Sequence, residues 1–248
     1  AGGLLQRRGG TVRHDAVAWG YARGADGRGV DIIENCEVTG FRIENGVCKG
    51  VETNLGNIKA RKIAVCVAGS SSRLMAPVGI HLPIESHVIQ AFVSEGLKPL
   101  LSGVITFGAG HFYVSQSDKG GLIFGGDLDG YNSYAQRGNL AVVEDVCEGG
   151  MALMPMIGRA RLLRMWGGIV DMSMDGSPFI DRTEIDGLYF NGGWSYGGFK
   201  ATPASGWGYA HLLATEETHS VAAEFRLDRF RRGHMIDEKG VGPQPNLH

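Results

Sequence analysis

The sequence predicts an α/β fold in which a nucleotide-binding domain is interleaved with an antiparallel β-sheet domain. Three observations predict it. The continuous apolar run at residues 62–68 is typical of a strand buried on both faces of a parallel sheet. Residues 187–191 form a second apolar strand, which leads through a glycine-rich turn into a helix. Between them, residues 84–126 alternate strand-like segments with turns rich in Gly, Ser, Asp and Lys, which favours antiparallel pairing.

Composition narrows the class of protein. Hydrophobic residues make up 43% of the 248 residues, which is enough for a sizeable core in one large domain or two interlocked ones. The 24 basic and 26 acidic side chains nearly balance, which argues against a nucleic-acid partner or a membrane surface. Gly accounts for 40 residues, roughly twice the usual share of about 7%. The glycines stand in pairs beside apolar runs, which indicates tight turns and close backbone approach to a ligand.

The cysteines and the apolar runs indicate a cytoplasmic protein. The cysteines form no CxxC pair and no Cys/His ligand spacing, so we expect reduced, mostly structural thiols and no metal site. No signal peptide is visible, and the longest strongly apolar run, residues 63–68, is far too short to cross a membrane. The four cysteines are Cys36, Cys48, Cys66 and Cys147.

The first third of the chain predicts a helix followed by a β-meander. Residues 11–23 have a helical pattern that Thr11 caps, with Asp15 in the first turn. Asn45-Gly46 is a strong signal for a hairpin turn between two strands. Strands are expected at residues 30–33, 36–43 and 47–53, around residue 58, and at residues 62–68.

The middle of the chain predicts an antiparallel sheet with one helix. The helical pattern at residues 138–157 is interrupted by Gly149 and Gly150, and we expect Pro155 to end it. Residues 162–172 are expected to form either a further strand pair or one bent strand. The other strands are expected at residues 84–93, 103–107, 112–116 and 121–126.

The end of the chain predicts a strand, a turn and a helix, followed by a charged segment. We expect the helix to begin with Thr202 as its cap and Pro203 at its first position, and to run to about residue 217. The domain boundaries that follow are residues 1–80 and 176–220 for the nucleotide-binding domain, residues 81–175 for the antiparallel substrate domain, and residues 221–248 for a tail or partner-contacting arm.

The glycine-rich stretch at residues 186–206 is the most informative candidate site. A helix start presents unpaired N–H groups and a partial positive charge, which attract a phosphate, a carboxylate or the anionic edge of a reduced flavin. Lys200 adds a cation at the same place. The alternative is an ordinary glycine-rich turn between a strand and a helix, and these residues alone leave both interpretations open.

Two histidines are further candidates. His14 is either a cap or surface residue of the first helix or a nucleophilic imidazole that forms a covalent link to a flavin. His111, at the mouth of the antiparallel block, is either a turn residue or a group that binds a substrate carboxylate or prepares an amine for oxidation. The sequence has no GxSxG elbow, no P-loop, no HExxH motif and no complete GxGxxG fingerprint.

Three stretches together resemble a known family. Residues 9–23, 29–38 and 192–203 are similar to the β subunits of heterotetrameric sarcosine oxidases, which are D-amino-acid-oxidase-like, FAD-dependent amine oxidoreductases. The resemblance implies that the family's FAD fingerprint and first βαβ unit precede residue 1, so the chain corresponds to roughly the C-terminal three-fifths of such a subunit. Residues 166–175 hold no cysteine, although monomeric relatives link FAD through one there, which favours the histidine-linked, multi-subunit branch.

The resemblance also implies roles for individual residues. His14 matches the histidine that carries covalent FMN at the interface with the large subunit. Val38, just after a strand, matches the residue whose backbone contacts the FAD adenine. Lys200 matches the lysine beside the flavin ring that promotes reaction of the reduced flavin, and His111 matches a substrate-site histidine. The flavin-ring site comprises Gly193, Gly197, Gly198, Phe199 and Lys200.

The implied activity is the oxidative demethylation of sarcosine to glycine. Electrons would pass from non-covalent FAD to FMN and then to oxygen, and the one-carbon unit would go to tetrahydrofolate or leave as formaldehyde. The implied partners are a large α subunit and two small subunits, with an N-methyl amino acid as substrate. One alternative is another FAD-dependent amine oxidoreductase, such as a dimethylglycine, glycine or proline oxidase or dehydrogenase. Another is a non-catalytic truncated subunit that only binds its partners.

Overall fold

The computed structural model describes residues 2–108 and 112–236 and confirms a mixed α/β fold. Its helices are α1 (His14–Asp26), α2 (Ser71–Met75), α3 (Leu140–Leu153) and α4 (Gly198–Thr215), with short 3-10 helices at Ala68–Ser70, Ala76–Val78, Pro155–Arg159 and Ser220–Ala222. The strands are β1 (Val38–Glu44), β2 (Val47–Thr53), β3 (Gly56–Lys59), β4 (Ile63–Val65), β5 (Ile84–Gly96), β6 (Ile105–Phe107), β7 (Phe112–Gln116), β8 (Gly121–Leu128), β9 (Leu162–Ser173), β10 (Phe179–Arg182) and β11 (Leu188–Gly192).

The chain divides into two compact units, each built from three separate stretches of sequence. The stretches of the two units alternate along the chain. Unit 1 consists of Ala1–Asn35, Gln90–Asp127 and Gly138–Trp166, and unit 2 consists of Cys36–Ile89, Leu128–Arg137 and Gly167–His248. Among the residues described, no helix combines the length and the apolar character that a bilayer crossing requires.

The helix predicted near the start of the chain is confirmed as α1, although it begins at His14 rather than at residue 11. Asp15 stands in its first turn, where a negative charge suits the helix dipole. The strand predicted at residues 30–33 is wrong, because these residues form no ladder. Ile32 and Ile33 are both more than half exposed, so the apolar run has no neighbouring strand in unit 1 to pair with.

The predicted hairpin between β1 and β2 is confirmed. Asn45 (φ 52°) and Gly46 (φ 79°) both take the left-handed conformation that a tight type I′ turn requires. Glu44 then pairs with Val47 across the turn, and the sheet has the strand order β1-β2-β3.

The two apolar runs form neighbouring parallel strands, so the parallel sheet predicted for residues 62–68 is confirmed. The predicted burial on both faces along the whole run is wrong, because the strand shortens to β4, in which Val65 is buried and Ala64 is exposed. β4 lies parallel to β11, with Val65 opposite Phe190, and β10 pairs antiparallel on the other side of β11. Val65, Phe179 and Phe190 belong to one buried apolar cluster of unit 2. β11 therefore emerges from a rigid core just before the glycine-rich stretch.

An antiparallel sheet with the strand order β6-β7-β8-β5-β9 confirms the β-rich middle of the chain. α3 runs without a break through Gly149 and Gly150, so the predicted interruption is wrong. A Cβ on Gly150 would lie 2.7 Å from Cε2 of Phe112, so the glycine allows helix and strand to pack closely. This packing outweighs the helix cost of a glycine, about 1 kcal/mol. The α-helix ends just before Pro155, as predicted.

The last helix begins five residues earlier than predicted. α4 starts at Gly198, so Thr202 and Pro203 lie inside the helix and not at its start. The Thr202 hydroxyl donates to the carbonyl of Gly198 at 3.1 Å, so it bonds to the preceding turn and caps nothing. This shift brings Lys200 into the first turn of the helix.

Candidate functional site

The candidate site is the turn at residues 193–197, here called the glycine turn, which joins β11 to α4 in unit 2. Gly193 (φ 75°) and Ser195 (φ 49°) take the left-handed conformation, which reverses the chain within a few residues. The N–H of Gly197 donates to the carbonyl of Trp194 at 2.8 Å and closes the turn. The backbone therefore enters the helix along a fixed path.

A side chain at Gly193 or Gly198 would crowd other protein atoms. A Cβ on Gly193 would lie 2.9 Å from Cδ2 of Phe179, and one on Gly198 would lie 3.1 Å from Cβ of Trp194. A Cβ on Gly197 would lie 3.4 Å from the carbonyl oxygen of Trp194, which is an ordinary contact distance. The sequence singled out all three glycines, and the close packing in the structure explains two of them.

The buried carboxylate of Asp171, in β9, fastens the glycine turn. Its Oδ2 accepts from the N–H of Gly193 at 2.5 Å and of Trp194 at 3.3 Å. Its main-chain carbonyl accepts from the N–H of Ser195 at 2.9 Å. Burial raises the pKa of the Asp171 carboxyl, and the N–H bonds partly offset this rise. The sequence analysis missed Asp171, although a lone acidic residue inside an apolar strand was the available signal.

The first turn of α4 offers donors and a cation. The N–H groups of Gly198, Phe199 and Lys200 have no acceptor within the helix, and an 18-residue helix carries partial positive charge at this end. The exposed Lys200 donates from Nζ to the carbonyl of Tyr196 at 2.8 Å, so its charge stays beside the turn. This arrangement fits the electron-rich edge of a flat ring or another anion.

A stacked pair of side chains lies beneath the glycine turn. The guanidinium carbon of Arg229 lies 3.7 Å from the ring centroid of Phe179, the ring that faces Gly193. Arg229 is almost fully buried and pairs with Asp175 through Nη2 and Oδ1 at 2.7 Å. The sequence analysis predicted a tail or partner-contacting arm at residues 221–248, and nothing in the sequence indicated that Arg229 is buried.

His14 is the first residue of α1 and is exposed in unit 1. Beside it, Arg13 donates to both carboxylate oxygens of Asp15, and this contact holds the pKa of Asp15 below its usual range. An exposed imidazole at a helix start is accessible for a covalent link. The N–H of Ala16 already donates to the Asp15 carboxylate at 2.9 Å, so this helix start has an anion of its own. The exposure of the imidazole is therefore the feature that fits the covalent flavin that the resemblance implies.

Val38 and His111 are the two remaining residues for which the resemblance implies a role. Val38 is the first residue of β1, where it pairs with Thr53 in unit 2. The expectation that it lies just after a strand is therefore wrong, because no strand forms at residues 30–33. His111 lies outside the described residues.

The titratable side chains give little support to metal chemistry. Across residues 2–108 and 112–236, no three His, Cys, Asp or Glu side chains gather into a group that could hold a metal ion. All four cysteines fall in these ranges and are free thiols. Burial raises the pKa of the Cys48, Cys66 and Cys147 thiols.

Comparison with known proteins identifies the family to which the chain belongs. A sequence model described as "FAD dependent oxidoreductase" matches residues 1–212. The chain is 72% identical, over its whole length and 59% of the relative, to sarcosine oxidase subunit beta of Rhizobium meliloti (strain 1021). It is 48% identical to sarcosine oxidase subunit beta of Arthrobacter sp, covering 97% of this chain and 59% of the relative. The chain thus spans about three-fifths of the length of these relatives.

Solved structures give the same fold. L-proline dehydrogenase from P. horikoshii superposes with a TM-score of 0.81 at 28% identity, covering 89% of this chain and 60% of that one. Glycine oxidase from Geobacillus kaustophilus superposes with a TM-score of 0.77 at 23% identity, covering 86% of this chain and 57% of that one.

Proposed function

This chain belongs to the FAD dependent oxidoreductase family, and on that premise we propose that it is part of a flavoenzyme that oxidatively demethylates sarcosine to glycine. Its 72% identity to a protein named sarcosine oxidase subunit beta favours this substrate over other amines. The structural observation that carries the proposal is the start of α4, where free N–H groups and Lys200 adjoin the glycine turn.

Bound FAD would supply the acceptor for the hydride that leaves the N-methyl group. Accepting a hydride leaves negative charge on the pyrimidine edge of the flavin ring. The N–H groups of Gly198, Phe199 and Lys200 would face that charge, and the Lys200 ammonium would add to their effect. Such preorganised donors lower a barrier because they need no reorientation during the reaction. The glycine turn would keep them in place.

Other residues would take supporting roles in the same proposal. Val38 would contact the adenine of FAD through its backbone, and His111 would bind the substrate carboxylate. His14 would hold FMN covalently, on the route by which electrons leave toward oxygen. The one-carbon unit would go to tetrahydrofolate or leave as formaldehyde.

The same proposal includes an assembly and a location. The name of the relative, sarcosine oxidase subunit beta, indicates an enzyme of several subunits. For this chain we propose a large α subunit and two small subunits as partners. The free thiols are in keeping with a reducing compartment, so we propose the cytoplasm.

The test is an anaerobic titration of the full-length protein, purified with the subunits that accompany it. We expect sarcosine to bleach the flavin absorbance faster than dimethylglycine, glycine or L-proline at equal concentration. Faster bleaching by one of those three would replace sarcosine with that substrate. A protein that carries no flavin would contradict the proposal and favour a non-catalytic subunit.

A further inference from the structure

We propose that Asp171 is a positioning residue of the flavin site, which sets the direction of the α4 start by holding the glycine turn. The inference rests on the proposed function, because it assigns Asp171 to the same site. It starts from three consecutive N–H groups, those of Gly193, Trp194 and Ser195, all of which bond to this one residue.

Two of the three N–H groups, those of Gly193 and Trp194, converge on the Asp171 carboxylate, and the third, that of Ser195, donates to the main-chain carbonyl of Asp171. Successive N–H groups converge when left-handed residues alternate with ordinary ones, and Gly193 and Ser195 are both left-handed. In this chain an internal carboxylate accepts from the two N–H groups that converge. Asp171 is 4% exposed, and its bonds to the turn come from backbone N–H groups. Its carboxyl is therefore bonded to the turn by backbone N–H groups alone, which makes the contact sensitive to the position of the turn.

A second contact reinforces this arrangement. The N–H of Ser173, two residues after Asp171 in β9, donates to Oγ of Ser195 at 3.3 Å. β9 thus contacts the turn through the Asp171 carboxylate, the Asp171 main-chain carbonyl and the N–H of Ser173. The turn ends at Gly197, one residue before α4. A displacement of the backbone at Gly193 would therefore also displace the first helical N–H groups and Lys200.

Asp181 provides a matched control. It is also a buried aspartate, 8% exposed, and its carboxylate also accepts two backbone N–H bonds, from Arg182 at 2.9 Å and from Leu227 at 3.0 Å. It lies in β10 and does not bond to the glycine turn. Substituting either aspartate removes one carboxyl and two side-chain acceptor bonds, so the two substitutions differ in whether they touch the turn.

The experiment compares Asp171→Ala, Asp171→Asn, Asp181→Ala and Asp181→Asn in the full-length protein with its accompanying subunits. We measure the melting temperature, the dissociation constant for FAD and the visible absorption of bound FAD. We expect Asp171→Ala to weaken FAD binding at least about tenfold, in line with the loss of bonds to a charged group. Asp171→Asn keeps one acceptor oxygen and should recover part of the affinity, and both Asp171 variants should change the flavin spectrum.

The Asp181 variants should lower the melting temperature but leave the FAD affinity and the spectrum as in the wild type. If Asp171→Ala does not fold, Asp171→Asn decides by the same two flavin measurements. Asp171 variants that bind FAD like the Asp181 variants, with an unchanged spectrum, would overturn this inference and leave the proposed function standing. A wild-type protein that binds no FAD would overturn both.

A double substitution gives an independent result. Lys200→Met and Asp171→Asn, if both act on the orientation of the same turn, should together cost less FAD affinity than the sum of their separate free-energy changes. Additive changes would overturn the inference, because independent sites add.

Discussion

Arg229 and Phe179 form a stacked pair in unit 2, with the guanidinium carbon 3.7 Å from the ring centroid. The same guanidinium donates to both carboxylate oxygens of Asp175, at 2.9 and 2.7 Å, and to the carbonyls of Ser177 and Pro178. Since Phe179 faces Gly193, this pair connects the stretch after α4 to the glycine turn. The buried guanidinium of Arg229 therefore helps to hold Phe179, and through it the glycine turn, in place.

Loss of the buried arginine should strongly destabilise the protein. We expect Arg229→Ala to lower the free energy of unfolding by about 3–5 kcal/mol, because it leaves the Asp175 carboxylate buried without its cation. Arg232→Ala is the control, since Arg232 pairs with Asp228 at the surface and should contribute less than about 1 kcal/mol. Urea unfolding measures both variants, and equal losses would contradict the assigned role of Arg229.

Stability in acid should depend on Asp175. Burial alone would raise the pKa of its carboxyl, but bonds from Arg229 and from the N–H groups of Ile236 and Ser177 hold the pKa below its usual range. A carboxyl with a lowered folded pKa stabilises fully above its unfolded pKa, about 3.9, and loses that contribution as pH falls through the folded value. We therefore expect the free energy of unfolding to fall below about pH 4, and to fall less steeply in Asp175→Asn. Parallel pH profiles for the two proteins would count against this assignment.

Two glycine substitutions should have opposite effects. Gly193→Ala puts a Cβ in a left-handed position and 2.9 Å from Phe179, so we expect a loss of at least about 1 kcal/mol in stability. Gly206→Ala adds a Cβ to the exposed face of α4, where nothing lies within 4 Å, and should gain up to about 1 kcal/mol. Thermal unfolding checks both, and a neutral Gly193→Ala would show that the turn can adapt.

The sequence predicted the elements whose signals are local. Asn45-Gly46 forces a hairpin by its own backbone preference, and the apolar run around Val65 indicated a strand of a parallel sheet, which the structure pairs with β11. The start of α4 was misplaced because Thr202 and Pro203 match a cap motif, whereas the tertiary contacts of the glycine turn begin the helix at Gly198.

The residues that support the site could not be predicted in the same way. Asp171 and Arg229 have partners 22 and 54 residues away, and no local pattern encodes such contacts. Gly193, Gly197, Gly198, Phe199 and Lys200 were found because they are consecutive or nearly so. The sequence therefore located the turn, and the structure identified the residues that hold it.

The role of His14 can be tested by its covalent chemistry. After acid precipitation of the native complex and peptide mapping, we expect flavin to remain on the peptide that contains His14. His14→Ala should lose this flavin, keep reduction of FAD by sarcosine, and lose turnover with oxygen. His234→Ala, an exposed histidine elsewhere, should retain the bound flavin. If all flavin washes out of the wild type, His14 is not the attachment site.

The most direct test of FAD at the start of α4 is the anaerobic reduction of the Lys200→Met protein by sarcosine, followed by stopped flow. The account predicts a rate of FAD reduction at least about a hundredfold below the wild type, by analogy with the loss of one preorganised donor, with little change in the Kd for sarcosine. Lys59→Met removes an exposed lysine from β3 and should react like the wild type. An unchanged rate of FAD reduction in Lys200→Met would contradict the placement of FAD at this turn.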